Sequence, residues 1–151
     1  MTVFDLHSEP LKQEWLDAYG HLNEAYYLVP FSNATWALQD ALDIGVSYFD
    51  ETGGALYTVE THLRYLKEVC FPAQFEIKSM IFAHDAKKLH FGHIMLVDGI
   101  ERATFECLGL HFDSRQSRVA PFPKAALEKI KQVQMPEMPD WACRSISIAK
   151  K

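Results

Sequence analysis

The hydrophobic period of this chain changes once, near residue 45, and that change limits the fold more than any other feature. Between Asn23 and Leu42, the residues Tyr27, Phe31, Ala34, Leu38, Ala41 and Leu42 recur at three-to-four spacing. That spacing marks one buried face of a helix. Beyond "ETGG" the period falls to two. In "ALYTVETHLRYLKEV", Tyr57, Val59, Thr61, Leu63 and Tyr65 alternate with Thr58, Glu60, His62, Arg64 and Leu66, which predicts a long strand with one apolar side. The runs "QFEIKSMIFAHD", "KKLHFGHIMLVD" and "ERATFECLGLHFD" extend the pattern. Joined by short "AK" and "GI" turns, they predict an antiparallel meander.

The flanks complete an α+β reading. Asn23 suits a helix N-cap, and Glu24 falls where an acid favours the helix dipole. Pro30 should kink the first turns and Gly45 should stop the helix. Residues 3–7 and 10–16 read as short extended pieces around Ser8, Glu9 and Pro10. "SRVAPFP" should leave the sheet, residues 123–133 should form a short helix, and Pro136 and Pro139 predict a loosely held tail. This gives one domain over residues 1–134 with a tail at 135–151, one long helix on a curved antiparallel sheet of about five strands. A single helix covers one sheet face only, so the other is expected to meet solvent or a second subunit.

Composition narrows the function. A net charge of −5 and a pI near 5.8 argue against a nucleic-acid partner. Cys70, Cys107 and Cys143 have neither disulfide-framework nor metal-ligand spacing, which predicts a reducing, cytoplasmic setting. "MTVFDLHSEP" is not a secretory leader, and no stretch approaches the roughly 20 apolar residues of a membrane span. His62, His90 and His93 raise the question of a metal, but His90 and His93 are three apart on a strand and fall on opposite faces. There is no G-x-S-x-G elbow and no glycine-rich phosphate loop. The expectation is a protein with neither metal nor redox cofactor.

The chemistry concentrates in "WLDAYGHLNEAYYLVPF", where Asp17, Gly20, His21 and Asn23 fall together at the helix entrance. Gly20 can adopt a positive φ or let backbone approach a ligand. Amides at the helix start, His21 to Glu24, could point at a ligand oxygen with the helix dipole adding to their pull, an oxyanion hole if the chain performs acyl transfer. Asp17 is the acid of the group, although it could instead cap the turn in "LDAYG". Asn23 caps the helix and could also hold Asp17 or a water.

Asp-x-x-Gly-His-x-Asn with Tyr26 six residues after Gly20, the element order and the exit "RVAPFP" together resemble hotdog-fold acyl-CoA thioesterases of the 4-hydroxybenzoyl-CoA thioesterase type. The resemblance spans about residues 8–130. More narrowly, "GHLNEAYY", "LRYLKEV", "AKKLHFGHIM" and "APFP" are similar to betainyl-CoA thioesterases of bacterial carnitine breakdown. The resemblance implies that Asp17 acts as nucleophile or general base on an acyl-CoA. His21 would orient substrate or water, or else support its turn. Glu24 departs from the second Asn of many relatives and would favour a cationic acyl group. A trimethylammonium group is held by ring faces, and Trp15, Tyr19, Tyr27, Phe31 and Trp36 are candidates for that cage. Glu60 would reach a partner subunit's site in a homodimer or homotetramer. Arg64, Lys67, Lys87, Lys88 and Arg118 are candidates for the coenzyme A phosphates. A hotdog dehydratase using His21 with Asp17 and a non-catalytic acyl-CoA-binding module are the competing readings.

Overall fold

A computed structural model describes residues 2–143 and 148 of the chain. Five long strands form the sheet: β1 (Phe4–Pro10), β2 (Gly54–Tyr65), β3 (Gln74–His84), β4 (Lys88–Val97) and β5 (Ile100–Asp113). They lie antiparallel in the order β1-β3-β4-β5-β2. The meander predicted for the last three runs is β3-β4-β5. β2, the first long strand in the chain, joins the far side of β5 rather than β3, so the chain crosses the sheet between β2 and β3. The two edges are therefore β1 and β2.

The sheet curls around α1 (Leu28–Ala41), giving the expected α+β architecture. Phe31, Ala34, Leu38 and Leu42 are buried against Phe75, Ile77, Phe91 and Phe105 from the sheet. Each large apolar side chain buried this way contributes about 1.5–3 kcal/mol. Phe31 stacks on Phe105 at 5.2 Å between ring centres, and on His93 at 6.1 Å. Thr35 Oγ1 lies 2.9 Å from His93 Nε2, so that ring nitrogen has a partner within the core. Burial drives the His93 pKa down to about 3, and the ring is neutral.

Several local expectations differ from what is observed. Residues 10–16 are not extended throughout: a 3-10 turn occupies Gln13–Trp15. The helix entrance is a 3-10 turn at Glu24–Tyr27, with α1 following. Pro30 then sits in the first α turn, where a missing N–H removes no ladder bond, so it does not kink the helix. Gly45 does not stop the helix either. α1 ends at Ala41, Asp43 takes the left-handed turn with φ 59°, and a short helix α2 (Val46–Thr52) follows. A side chain at Gly45 would displace the Asp40 carboxylate from its place against this turn. Arg118–Val119 does not leave the sheet but pairs with the end of β5 as a short β6.

The last difference is the chain end. After α3 (Lys124–Val133) the expected loose tail is instead held, at least to residue 143. The Met135 N–H donates to the Ile81 carbonyl at 2.9 Å. Trp141 packs edge-on against Phe82 with ring centres 5.5 Å apart, and Met135 and Ala142 join Met80 and Phe82 in a second apolar cluster. Part of the sheet face turned away from α1 is thus covered by the chain itself. Proline density alone hid this, because Trp141 follows the prolines and docks. Among the described residues no helix is long and apolar enough to cross a membrane.

Candidate active site

The turn in "LDAYG" is built on Asp17. Its carbonyl accepts the Gly20 N–H at 3.1 Å, its own N–H donates to the His21 carbonyl at 2.8 Å, and Gly20 adopts φ 79°. A side chain at position 20 would meet open space, so the glycine is required by that φ and not by crowding. Asp17 Oδ1 accepts the Tyr19 N–H at 2.8 Å and the His21 N–H at 3.2 Å. The carboxylate is therefore pinned by one oxygen, in the role of turn cap, while Oδ2 stays outside those bonds. Both proposed roles of Asp17 can thus coexist in one side chain.

Asn23 caps the 3-10 turn as expected, its Oδ1 accepting the Ala25 N–H at 3.0 Å. The expected oxyanion hole is corrected. The amides of His21, Leu22 and Asn23 already donate, to Asp17 Oδ1, the Val69 carbonyl and the Trp15 carbonyl. Those three tie the helix entrance to neighbouring segments and are not free for a ligand. The first amide of the turn itself, that of Glu24, is the donor left at the mouth of the site.

Asp17, His21 and Glu24 line an open cleft of about 530 Å³ with Tyr27, Tyr65, Lys67 and Glu68. Tyr27 meets Tyr65 edge-to-face at 5.0 Å, and the Tyr65 hydroxyl donates to the Glu24 carbonyl at 3.2 Å. Burial pushes the Tyr27 phenol up, with Tyr65 next in effect and the Asp17 carboxylate acting in the same direction. Burial and then Glu24 raise Tyr65 likewise. Three carboxylates against one ammonium, with two tyrosine rings between them, make the cleft both acidic and aromatic.

The other candidates are dispersed. Trp15 is buried, with Tyr26 stacked on it at 6.1 Å and the Lys12 ammonium 5.1 Å from its ring centre. Its ring is engaged with the protein. Phe31 is core. Tyr19 is 85% exposed, outside the cleft lining. Trp36 lines a separate apolar cavity of about 280 Å³ with Phe49 and Leu56. These rings do not form one cage with Tyr27. Glu60 is exposed on β2, beside a bulge between Thr58 and Glu60, and is not part of the Asp17 cleft. Of the five candidate cations only Lys67 lines the cleft. Tyr65 and Glu68 were missed as site residues. Tyr65 had been read only as one apolar position in a strand, and nothing local signals that the chain after β2 returns to the helix entrance. The Arg102 carbonyl holds that return by accepting the Leu66 N–H at 2.9 Å and the Lys67 N–H at 3.2 Å.

The description of the thioesterase-like superfamily fits residues 11–130, most of the chain. The chain belongs to that superfamily. It is 35% identical over 130 residues to the betainyl-CoA thioesterase of Pseudomonas aeruginosa, covering 85% of this chain and 82% of that protein. It is 33% identical over 141 residues to the L-carnitine dehydrogenase/betainyl-CoA thioesterase of Agrobacterium fabrum, covering 91% of this chain but 29% of that larger protein. A Staphylococcus aureus protein solved in complex with CoA superposes with a TM-score of 0.84 over 99% of this chain and 98% of that one, at 21% identity. The architecture of this superfamily member is the hotdog fold, with α1 as the filling and the curled sheet around it. Its activity is that of a thioester hydrolase.

Proposed function

We propose that this thioesterase hydrolyses a short acyl-CoA carrying a cationic acyl group of the betainyl type, with Asp17 as the reacting carboxylate. Oδ1 is held by two amides, so Oδ2 attacks the thioester carbonyl or takes the proton of an attacking water. The carbonyl oxygen gains charge as the tetrahedral species forms, and the Glu24 amide is the donor that meets it. The C–S bond then breaks and the departing thiolate of coenzyme A takes up a proton. Attack by water gives the free acid directly, whereas attack by Oδ2 leaves an acyl–Asp17 anhydride that a water then hydrolyses to release the acid. No metal and no redox cofactor enters these steps. His21, beside Asp17 in the cleft lining, orients the substrate.

The observation that carries the choice of acyl group is the acidic, tyrosine-walled cleft around Asp17. Glu24 and Glu68 offset a positive charge, and the Tyr65 ring offers a face to it. The relatives named for betainyl-CoA support the same reading. Lys67, at the cleft lining, is suited to a phosphate of the coenzyme.

A second copy of the chain belongs to this reading. β2 is a long edge strand with Tyr57 and Val59 about half exposed, and Leu28 and Trp36 of α1 are exposed as well. A bare edge of this length with apolar side chains is a template for antiparallel pairing. Pairing β2 with its copy gives a homodimer, brings Glu60 to the junction, and two dimers can make a tetramer. Three free cysteines suit a reducing, cytoplasmic setting.

The test is a pair of thioesters of equal shape, betainyl-CoA and 3,3-dimethylbutyryl-CoA, in which nitrogen is replaced by carbon. The cationic substrate is expected to lead in kcat/KM by at least about tenfold, the equivalent of 1.4 kcal/mol. Glu24→Gln is expected to narrow that lead. Equal rates on the two thioesters would overturn the cationic assignment while leaving thioester hydrolysis intact.

A further inference from the structure

The spacing of His90 and His93 separates them, as expected: His93 stacks on Phe31 and Phe105 beneath α1, whereas His90 lies edge-on to Phe82 on the opposite face. That spacing says nothing of more distant partners, and His90 has two. Its Nε2 lies 2.7 Å from Glu106 Oε1, and both side chains are 1% exposed. The docked chain end then brings Cys143 onto the same spot, its N–H donating to Glu106 Oε1 at 2.7 Å. One ring nitrogen of His90, one Glu106 oxygen and Cys143 Sγ lie within 4.8 Å of one another.

Two further features mark this cluster. Glu106 Oε2 is fully buried and has no hydrogen-bond partner among the described residues. His62 Nδ1 lies 3.8 Å from it, too far for a hydrogen bond. An unpaired carboxylate oxygen in such a place is costly, and a native fold retains one where something else satisfies it. Cys143 also holds a left-handed φ of 59°. Its thiol points toward Met138 Sδ at 3.1 Å, at the exposed end of the cluster.

We propose that His90, Glu106 and Cys143 form a binding site for a divalent transition-metal cation, zinc above all, that clamps the chain end to the outer face of the sheet. Imidazole, carboxylate and thiolate are the donor set zinc prefers, at about 2.0–2.3 Å from each atom. Ligand atoms around one tetrahedral zinc are then about 3.3–3.8 Å apart, so the His90–Glu106 pair at 2.7 Å opens by roughly half an ångström while the Cys143 thiol, within 4.8 Å of both, closes on them. Cys143 supplies that movement by turning its thiol from Met138. Glu106 Oε2 gains the positive partner it lacks, and the thiol gives up its proton to solvent on binding. A water fills the fourth position, with His62 at its flank. The site is on the face of the sheet opposite α1 and takes no part in the hydrolysis at Asp17.

The test uses the full untagged chain, stripped with chelator and titrated with zinc by calorimetry, then with cobalt followed by absorbance. One zinc per chain is expected, with a thiolate-to-cobalt charge-transfer band. Cys143→Ser, an exposed and structurally mild change, should weaken zinc at least tenfold and abolish the band; His90→Gln should weaken zinc similarly. Cys70→Ser, at the other exposed cysteine, should alter neither. Zinc should slow proteolysis of the chain end in the wild type and not in Cys143→Ser. Absence of stoichiometric zinc binding by the wild type, undiminished binding by Cys143→Ser, or a band lost with Cys70 instead would each overturn the proposal.

Discussion

Asp17 combines two demands in one side chain. The turn needs an acceptor for the Tyr19 and His21 amides, and the proposed reaction needs a carboxylate fixed beside the helix entrance. Gly20 makes that turn possible through its positive φ. Gly20→Ala is therefore expected to cost about 1–2 kcal/mol in urea unfolding, although nothing crowds the added methyl. An unchanged midpoint would show that the turn can relax. Much of this was legible, because Asp, Gly and Asn report their backbone roles through chemistry: an acceptor, a left-handed φ, a cap. The aromatic residues were not legible in the same way. A tryptophan or phenylalanine looks alike in sequence whether it lines a cleft or fills a core. Trp15 and Phe31 proved to be packing groups, and Tyr65 proved to line the cleft.

The elements show the same division. Period-two and period-three-to-four patterns identified α1, the β3-β4-β5 meander and the long strand β2. In α1 the apolar repeat is the buried face, whereas in β2 the apolar alternation falls mostly on residues that the single chain leaves exposed. α2 escaped because none of its residues is buried and so it carries no periodic signal. The partner of β2 also escaped, since alternation identifies a strand but not its neighbour. That neighbour matters, because placing β2 outside β5 leaves its other edge bare. Val59, 53% exposed on that edge, is the position where a charge should interfere most simply with strand pairing. Val59→Lys is expected to weaken self-association at least tenfold by light scattering over a dilution series. A wild type that remains monomeric at high concentration would remove the edge-to-edge dimer from the account.

The whole chain should respond to pH through its buried histidines. His93 has a folded pKa of about 3 against an ordinary 6.5, caused chiefly by burial. The unfolded chain thus binds the extra proton between those values, and stability is fully present above pH 6.5 and lost as pH falls toward 3. His111, also lowered chiefly by burial, acts in the same direction. From His93 alone the loss at pH 5 is about 2 kcal/mol relative to neutral pH. Urea unfolding at pH 7 and pH 5 should show that loss in the wild type and a flatter dependence in His93→Gln. An equal slope in both would exclude His93 as its source. At this scale the fold class was readable from the order of elements alone. The docking of residues 135–143 on the outer face was not, because it depends on a few distant contacts and no periodic pattern.

The central claim is that the Asp17 carboxylate carries out thioester hydrolysis. It is tested most directly by comparing wild type and Asp17→Asn in two assays on the same preparations: thiol release from betainyl-CoA, and binding of a non-hydrolysable thioether analogue of that substrate. Asparagine preserves the shape and can still cap the turn through its carbonyl oxygen. The account predicts a fall in kcat of about 10² to 10⁴, with analogue affinity within about threefold of wild type. Hydrolysis that proceeds undiminished in Asp17→Asn would contradict it, and would return Asp17 to the role of a turn cap alone.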